Sequence, residues 1–236
     1  IRKGDAYHTG VIPFYKMFQA ATKSCSQGGV RGGAATIYYP IWHYEVEDLL
    51  VLKNNKGTED NRVRHMDYGV QFNKLMYMRL VEGKDITLFS PSDVPGLYDA
   101  FYADQDKFQE LYERAERNTK LRKKSIPASQ LFSMFMEERK NTGRIYLQNV
   151  DNANDHGAFL PELAPIRQSN LCAEIDLPTK PLNDVNDPDG EISLCTLSAI
   201  NWGNVKSPED FEKACTLAVR GLDALLSYQN YPILAA

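Results

Sequence analysis

Ala35-Thr36-Ile37-Tyr38-Tyr39 reads as a buried strand, and Pro40 closes it. The same proline suits the first turn of a helix, so a helix is expected over 40–52, stopped by Asn54-Asn55-Lys56-Gly57. Upstream, Ile12, Tyr15, Phe18 and Ala21 recur at helical spacing and predict a helix over 11–24, with Pro13 tolerated in its first turn. Downstream, a helix is expected over 66–80, followed by a short strand at Ile86-Thr87-Leu88-Phe89. A charged amphipathic helix over 104–117 comes next. The basic run Lys120, Arg122, Lys123, Lys124 beyond it reads as solvated surface. Another helix, over 127–140, carries Leu131, Met134 and Phe135 on its apolar side and ends near Gly143. Strand-like segments are expected over 144–150, 168–175 and 192–199. The last helix starts where Ser207 can cap, Pro208 fits the first position and Glu209 and Asp210 face the positive end of the dipole; it runs to about residue 228. Strands alternating with helices place the chain in the α/β class with parallel strands.

The 236 residues carry a net charge of −4, with 43% hydrophobic and 25% charged side chains, which bounds the chain to one or two soluble domains. With Gly 15, Pro 12 and Cys 4 it is neither collagen-like, nor low-complexity, nor a disulfide-dense secreted scaffold. No apolar run reaches membrane length, no signal peptide opens the chain, and the acidic balance argues against a nucleic-acid binder. A reducing cytoplasmic setting is therefore expected, in which any disulfide is redox-active rather than structural. The start at Ile1 and the end at Leu234-Ala235-Ala236 suggest a piece of a longer protein.

Cys25, Cys172, Cys195 and Cys215 form no C-x-x-C pair, and His8, His43, His65 and His156 lack helical metal-site spacing, so no metal is expected. Cys215 sits at an apolar position of the last helix and reads as core packing. The most informative segment is Gln168-Ser169-Asn170-Leu171-Cys172-Ala173-Glu174-Ile175. If extended, it places Asn170, Cys172 and Glu174 on one face, with Leu171, Ala173 and Ile175 on the apolar other. Pattern alone leaves two readings open, a half-exposed strand with an incidental cysteine or a reactive face. A carboxylate two residues from the thiol opposes thiolate formation, and no histidine lies near in sequence. A neutral thiol engaged in hydrogen-atom transfer fits better, with the carboxylate as base toward a substrate hydroxyl.

Several longer motifs point further. Arg167-Gln168-Ser169-Asn170-Leu171-Cys172 with Glu174, then Leu177-Pro178-Thr179-Lys180-Pro181-Leu182-Asn183-Asp184, then Leu194-Cys195-Thr196-Leu197-Ser198, resemble the large (α) subunit of class I ribonucleotide reductase. Ser24-Cys25-Ser26-Gln27-Gly28-Gly29-Val30-Arg31-Gly32-Gly33-Ala34-Ala35-Thr36 is similar to that family's specificity loop. Asn61-Arg62-Val63-Arg64-His65-Met66-Asp67-Tyr68 and Leu88-Phe89-Ser90-Pro91 resemble it too, so the likeness runs in order along the whole chain.

The resemblance implies a partial ten-stranded α/β barrel over residues 1–236, with a central finger loop (about 168–182) carrying the active cysteine and a specificity loop at about 25–34. It implies that Cys172 becomes a transient thiyl radical that takes the 3′-hydrogen of a ribonucleoside diphosphate. Glu174 would deprotonate the 3′-hydroxyl, Asn170 would hydrogen-bond the substrate, and Cys195 would be one of two reducing thiols. It further implies a specificity loop (Cys25, Ser26, Gln27, Gly28, Gly29 and Arg31) that links a deoxynucleotide or ATP effector to the substrate base. Gln27 and Arg31 would be its readers, and Arg2 would contact effector phosphates. The glycines by themselves fit equally a plain turn leading into a strand, and the segment is neither a P-loop nor a dinucleotide fingerprint.

By the same resemblance the chain itself holds no cofactor. The radical would come from a metal-containing small (β) subunit, electrons from thioredoxin or glutaredoxin, and the large subunit would be a homodimer with no membrane or nucleic-acid partner. The partner thiol of Cys195, the diphosphate-cradling loop and the tyrosine pair that passes the radical inward would lie outside these residues, with Tyr228 and Tyr231 belonging to the core. Two alternatives accompany this reading: an inactive or split-subunit piece completing another chain's barrel, and an anaerobic glycyl-radical relative, against which Glu174 argues.

Overall fold

In the computed structural model, which describes residues 9–236, the chain begins with α1 (Ile12–Lys23), whose Pro13 sits where amides have no helical partner anyway. A hairpin follows, β1 (Ser26–Gln27) against β2 (Arg31–Gly32), and leads into β3 (Thr36–Pro40). After the short α2 (Val46–Leu50) come β4 (Asp67–Phe72), α3 (Lys74–Val81), β5 (Asp85–Phe89), α4 (Leu97–Ala103) and α5 (Gln105–Arg117). Then follow β6 (Lys123–Pro127), α6 (Ala128–Thr142), β7 (Ile145–Asn149) and α7 (Val150–Asp155). These belong to a first compact unit ending at Leu177; a second, Pro178–Ala236, contains α8 (Pro208–Tyr228).

Strands β3, β4 and β7 form a parallel sheet in that order, as the α/β reading expects, and β5 pairs antiparallel with β6. The parallel sheet has three strands among the described residues. Tyr38 lies beside Gly69, and Gly69 beside Tyr146; two residues on, Pro40, Gln71 and Gln148 stand in one row. Strand alternation therefore gives one face tyrosines and amides. The other face carries Tyr39, Tyr68, Val70, Phe72 and Ile145, all buried in the core. Trp42 meets Phe101 edge-on at 5.5 Å, and Phe72 meets Phe135 at 5.2 Å, so aromatic rings fill much of that core. At residue 69 a Cβ would come within 2.3 Å of the Tyr38 ring, so glycine is what lets that ring lie across the sheet.

The helices expected over 11–24, 104–117 and 127–140 form close to those bounds, with Gly143 left-handed at the C-cap of α6 and Asp104 capping α5 through the Lys107 amide. Other expectations are corrected. Over 66–80 the chain is strand β4 and then helix α3, not one helix. Tyr68-Gly69-Val70-Gln71-Phe72 is buried throughout, and Asn73 ends the strand by accepting the Met76 amide as the cap of α3. The helix expected over 40–52 shrinks to Val46–Leu50, because Phe89 N–H donates to Trp42 O at 2.9 Å and Tyr44 N–H to Phe89 O at 2.7 Å. Backbone spent on β5 cannot coil. The basic run is surface, as expected, with Lys120, Arg122 and Lys124 exposed; Lys123 and Lys124 also begin β6, Lys124 pairs with Glu47 and Arg122 stacks on the Tyr44 ring.

In the second unit α8 matches the expected limits, and Ser207 accepts the Asp210 amide at 3.1 Å. Residues 192–199 are irregular rather than a strand; beside them Lys180 and Glu191 exchange both backbone hydrogen bonds at 3.1 Å. No residue of α8 is fully buried, so Cys215 is half-buried rather than core, and Tyr228 is 87% exposed.

Candidate active site

The Cys172 segment is a tight turn, not the extended strand expected over 168–175. A single antiparallel bridge, Ser169 to Asp176, closes its base. Inside it Asn170 acts as an organiser: its N–H donates to Ile175 O, its carbonyl accepts the Ala173 amide, and its Oδ1 accepts the amides of Glu174 (3.0 Å) and Ile175 (3.1 Å). Asparagine is suited to such local pairing because its short amide reaches the backbone of its own turn. Ala173 takes φ +62°, the one non-glycine in the left-handed region among the described residues. The physical outcome resembles what alternation promised, by another route. Cys172 and Glu174 are exposed while Leu171, Ala173 and Ile175 turn partly inward.

The amide-rich sheet face holds this turn. Tyr38 O–H donates to Asn170 O at 2.8 Å, and Thr36 Oγ1 donates to Leu171 O at 2.6 Å. One residue before the turn's stem, Ile166 is buried and bracketed by Asn154, which donates to Ile166 O at 2.9 Å and accepts its amide at 2.8 Å. Gln71, fully buried, donates to Arg167 O at 2.6 Å. Tyr38, Asn154 and Gln71 escaped the sequence reading. The available signal was an uncharged amide inside an otherwise apolar buried strand, which must find partners there.

Burial pushes the Tyr38 phenol up to about 12, with Tyr146, Asp176 and Glu174 adding to the rise and a hydrogen bond from Ser169 opposing it. Tyr38 is therefore a neutral donor to the turn at any physiological pH. Tyr146, in the same row across β4, is also raised, by desolvation first and then by Asp67, Cys172 and Glu174, with Arg144 opposing. A cleft of about 330 Å³ opens by the turn, lined in part by Gln148, Asn152, His156, Ser169, Ala173 and Asp176.

The glycine segment forms a solvent-exposed hairpin. Gly28 (φ +60°) and Gly29 (φ +69°) supply the two left-handed residues of its turn, closed by Val30 N–H on Gln27 O at 3.2 Å. Gln27 and Arg31 are cross-strand partners, both exposed, as are Cys25 and Ser26. Arg2 lies outside the described residues. Cys195 is exposed in the irregular part of the second unit. Asn170, Cys172 and Glu174 are thus brought together in one turn, and Gln27 and Arg31 in one hairpin. Among the described residues no cluster suited to a metal ion occurs, all four cysteines are free, and no helix is long and apolar enough to cross a membrane.

Comparison with known proteins gives a consistent picture. The family described as ribonucleotide reductase, barrel domain, matches residues 1–236. The chain is 67% identical over 236 residues to the ribonucleoside-diphosphate reductase subunit alpha of Buchnera aphidicola from Acyrthosiphon pisum, covering 100% of this chain and 31% of that protein. It is 70% identical over 184 residues to ribonucleoside-diphosphate reductase 1 subunit alpha of Escherichia coli, covering 78% of this chain and 24% of that protein. Against the subunit alpha of Enterobacteria phage T4 it is 58% identical, covering 99% and 31%. The matched residues span between about a quarter and a third of the length of these relatives.

Proposed function

The chain belongs to the ribonucleotide reductase barrel-domain family, and from that membership we propose that it is the part of a ribonucleoside-diphosphate reductase catalytic subunit that carries the reacting thiol. The observation that carries this reading is the Cys172–Glu174 turn, with thiol and carboxylate exposed together on a turn anchored by Tyr38 and Thr36. The surrounding fold is read as part of a ten-stranded α/β barrel, of which β3, β4 and β7 are a parallel section.

In the proposed reaction the radical arrives from a metal-bearing partner subunit. Cys172 Sγ, as a thiyl, takes the 3′-hydrogen atom of the ribose, forming S–H and breaking C3′–H. Glu174 accepts the 3′-hydroxyl proton, which eases departure of the 2′-hydroxyl as water. Two electrons come from a thiol pair that includes Cys195 and ends as a disulfide, reduced again by thioredoxin or glutaredoxin. Cys172 then returns a hydrogen atom to C3′ and recovers its radical.

Asn170 has its Oδ1 committed to the amides of Glu174 and Ile175, so it offers a substrate its NH₂ group, a donor. Gln27 and Arg31 are assigned to reading effector and base, with Cys25, Ser26, Gly28 and Gly29 forming the hairpin that presents them. Arg2 is assigned to effector phosphate.

The test is Cys172→Ser in the full-length protein, supplied with the radical-bearing subunit and a dithiol. Turnover is expected to fall to background while ribonucleotide binding persists. Surviving deoxyribonucleotide formation would overturn the radical assignment.

A further inference from the structure

The thiol turn is held at its tip by Tyr38 and Thr36, while its two stems are tied to the sheet by a pair of buried amides bonded to each other, Gln71 and Gln148. Gln71, in the central strand β4, is fully buried and has no contact with the exposed thiol. Its Nε2 donates twice, to Arg167 O at 2.6 Å and to Gln148 Oε1 at 2.9 Å; its Oε1 accepts from Tyr102 O–H at 2.7 Å. Gln148 Nε2 in turn reaches Asp176 Oδ1 at 3.4 Å, on the opposite stem of the turn. Arg167 is fixed from outside as well, paired with Asp99 at 3.0 Å and lying over the Tyr102 ring at 5.7 Å.

This arrangement has a direction. Arg167 O can only accept, so the Gln71 amide must turn Nε2 toward it; Oε1 then faces Tyr102, whose hydroxyl donates to it, and the second Nε2 proton goes to Gln148. Every polar atom of a fully buried amide is satisfied only in this one arrangement, so the alternatives are disfavoured by the cost of an unmade buried hydrogen bond. The nearest atoms to the chemistry, by contrast, are exposed, and solvent gives them no such constraint.

We propose that Gln71, held by Arg167 O and Tyr102, is a positioning residue for hydrogen-atom abstraction by Cys172, tying one stem of the thiol turn to the sheet directly and the other through Gln148. This rests on the reading of Cys172 as the reacting thiol. Gln71 touches neither substrate nor thiol; it limits the range of positions the sulfur samples against the C3′–H bond.

The test uses the full-length protein with its radical-supplying subunit. Gln71→Met keeps length and volume and removes all three hydrogen bonds. Its kcat is expected to drop on the order of 100-fold, the scale set by small misplacement of a reacting group, with KM for the ribonucleotide unchanged. The kinetic isotope effect with 3′-deuterated substrate should rise, because abstraction becomes the slow step. Tyr102→Phe keeps the ring against Arg167 and removes only the hydroxyl that satisfies Gln71 Oε1; a smaller fall in kcat with the same isotope signature is expected. A folded Gln71→Met with wild-type kcat, or one that loses kcat with no change in the isotope effect, overturns the proposal. Should Gln71→Met fail to fold, an unaltered isotope effect in Tyr102→Phe overturns it. Wild-type protein that forms no deoxyribonucleotide overturns instead the reading of Cys172 itself.

Discussion

At the scale of single residues, His43 shows how burial sets protonation. Its Nδ1 accepts the Glu45 amide at 3.1 Å, an arrangement open to a neutral imidazole and closed to a cation. Burial lowers its pKa from the ordinary 6.5, with the Glu45 carboxylate opposing. Below about pH 6.5 the unfolded chain takes up a proton that the fold resists. The unfolded state then binds more protons, so stability falls as pH drops through that value toward the lower folded one. Urea midpoints measured on either side of about pH 6.5 are expected to show this loss, and His43→Gln, which keeps an acceptor and cannot titrate, to flatten it. An equal slope in both proteins would assign the acid sensitivity elsewhere.

Elements read well where their ends are chemically marked and poorly where burial overrides local pattern. The hairpin β1–β2 belongs to the first kind. Gly29 holds φ +69°, where a β-branched side chain is strained by roughly 1–2 kcal/mol. In the full-length protein Gly29→Val is expected to unravel the turn and flatten the influence of effector nucleotides on substrate choice; retained effector selectivity, assayed with competing ribonucleotides, would contradict the specificity-loop assignment. Ser207, Pro208, Asp104 and Gly143 likewise announced the limits of α8, α5 and α6. Strand β4 did not announce itself, since Met66, Val70, Tyr77 and Leu80 mimic a helical stripe when strand and helix run head to tail. The thiol turn was half legible. Its residue types pointed to a chemistry, but its shape depends on the side chain of Asn170 and on Tyr38 from a distant strand, and a one-dimensional alternation rule sees neither.

Across the whole molecule the two units differ in how much surface they satisfy internally. The first owns the aromatic core, whereas α8 of the second leaves Leu217 and Val219 about three-fifths exposed, at 59% and 66%. Large apolar side chains left exposed together on one helix favour association. Purified alone, the 236-residue chain is expected to bind apolar dyes, to self-associate with rising concentration in sedimentation, and to turn over no ribonucleotide; a monodisperse, active chain would refute this. The topology also joins segments far apart along the chain. Strand β4 pairs with β3 and, much further along the chain, with β7 through Tyr68 and Ile145, while Asn170 is reached by Tyr38 across 132 positions of sequence. Contacts so far apart along the chain close late, after local helices and hairpins are already formed. The tip of the thiol turn is clasped by side chains 132 and 135 positions earlier in the sequence, so its docking reports on the closure of the whole first unit.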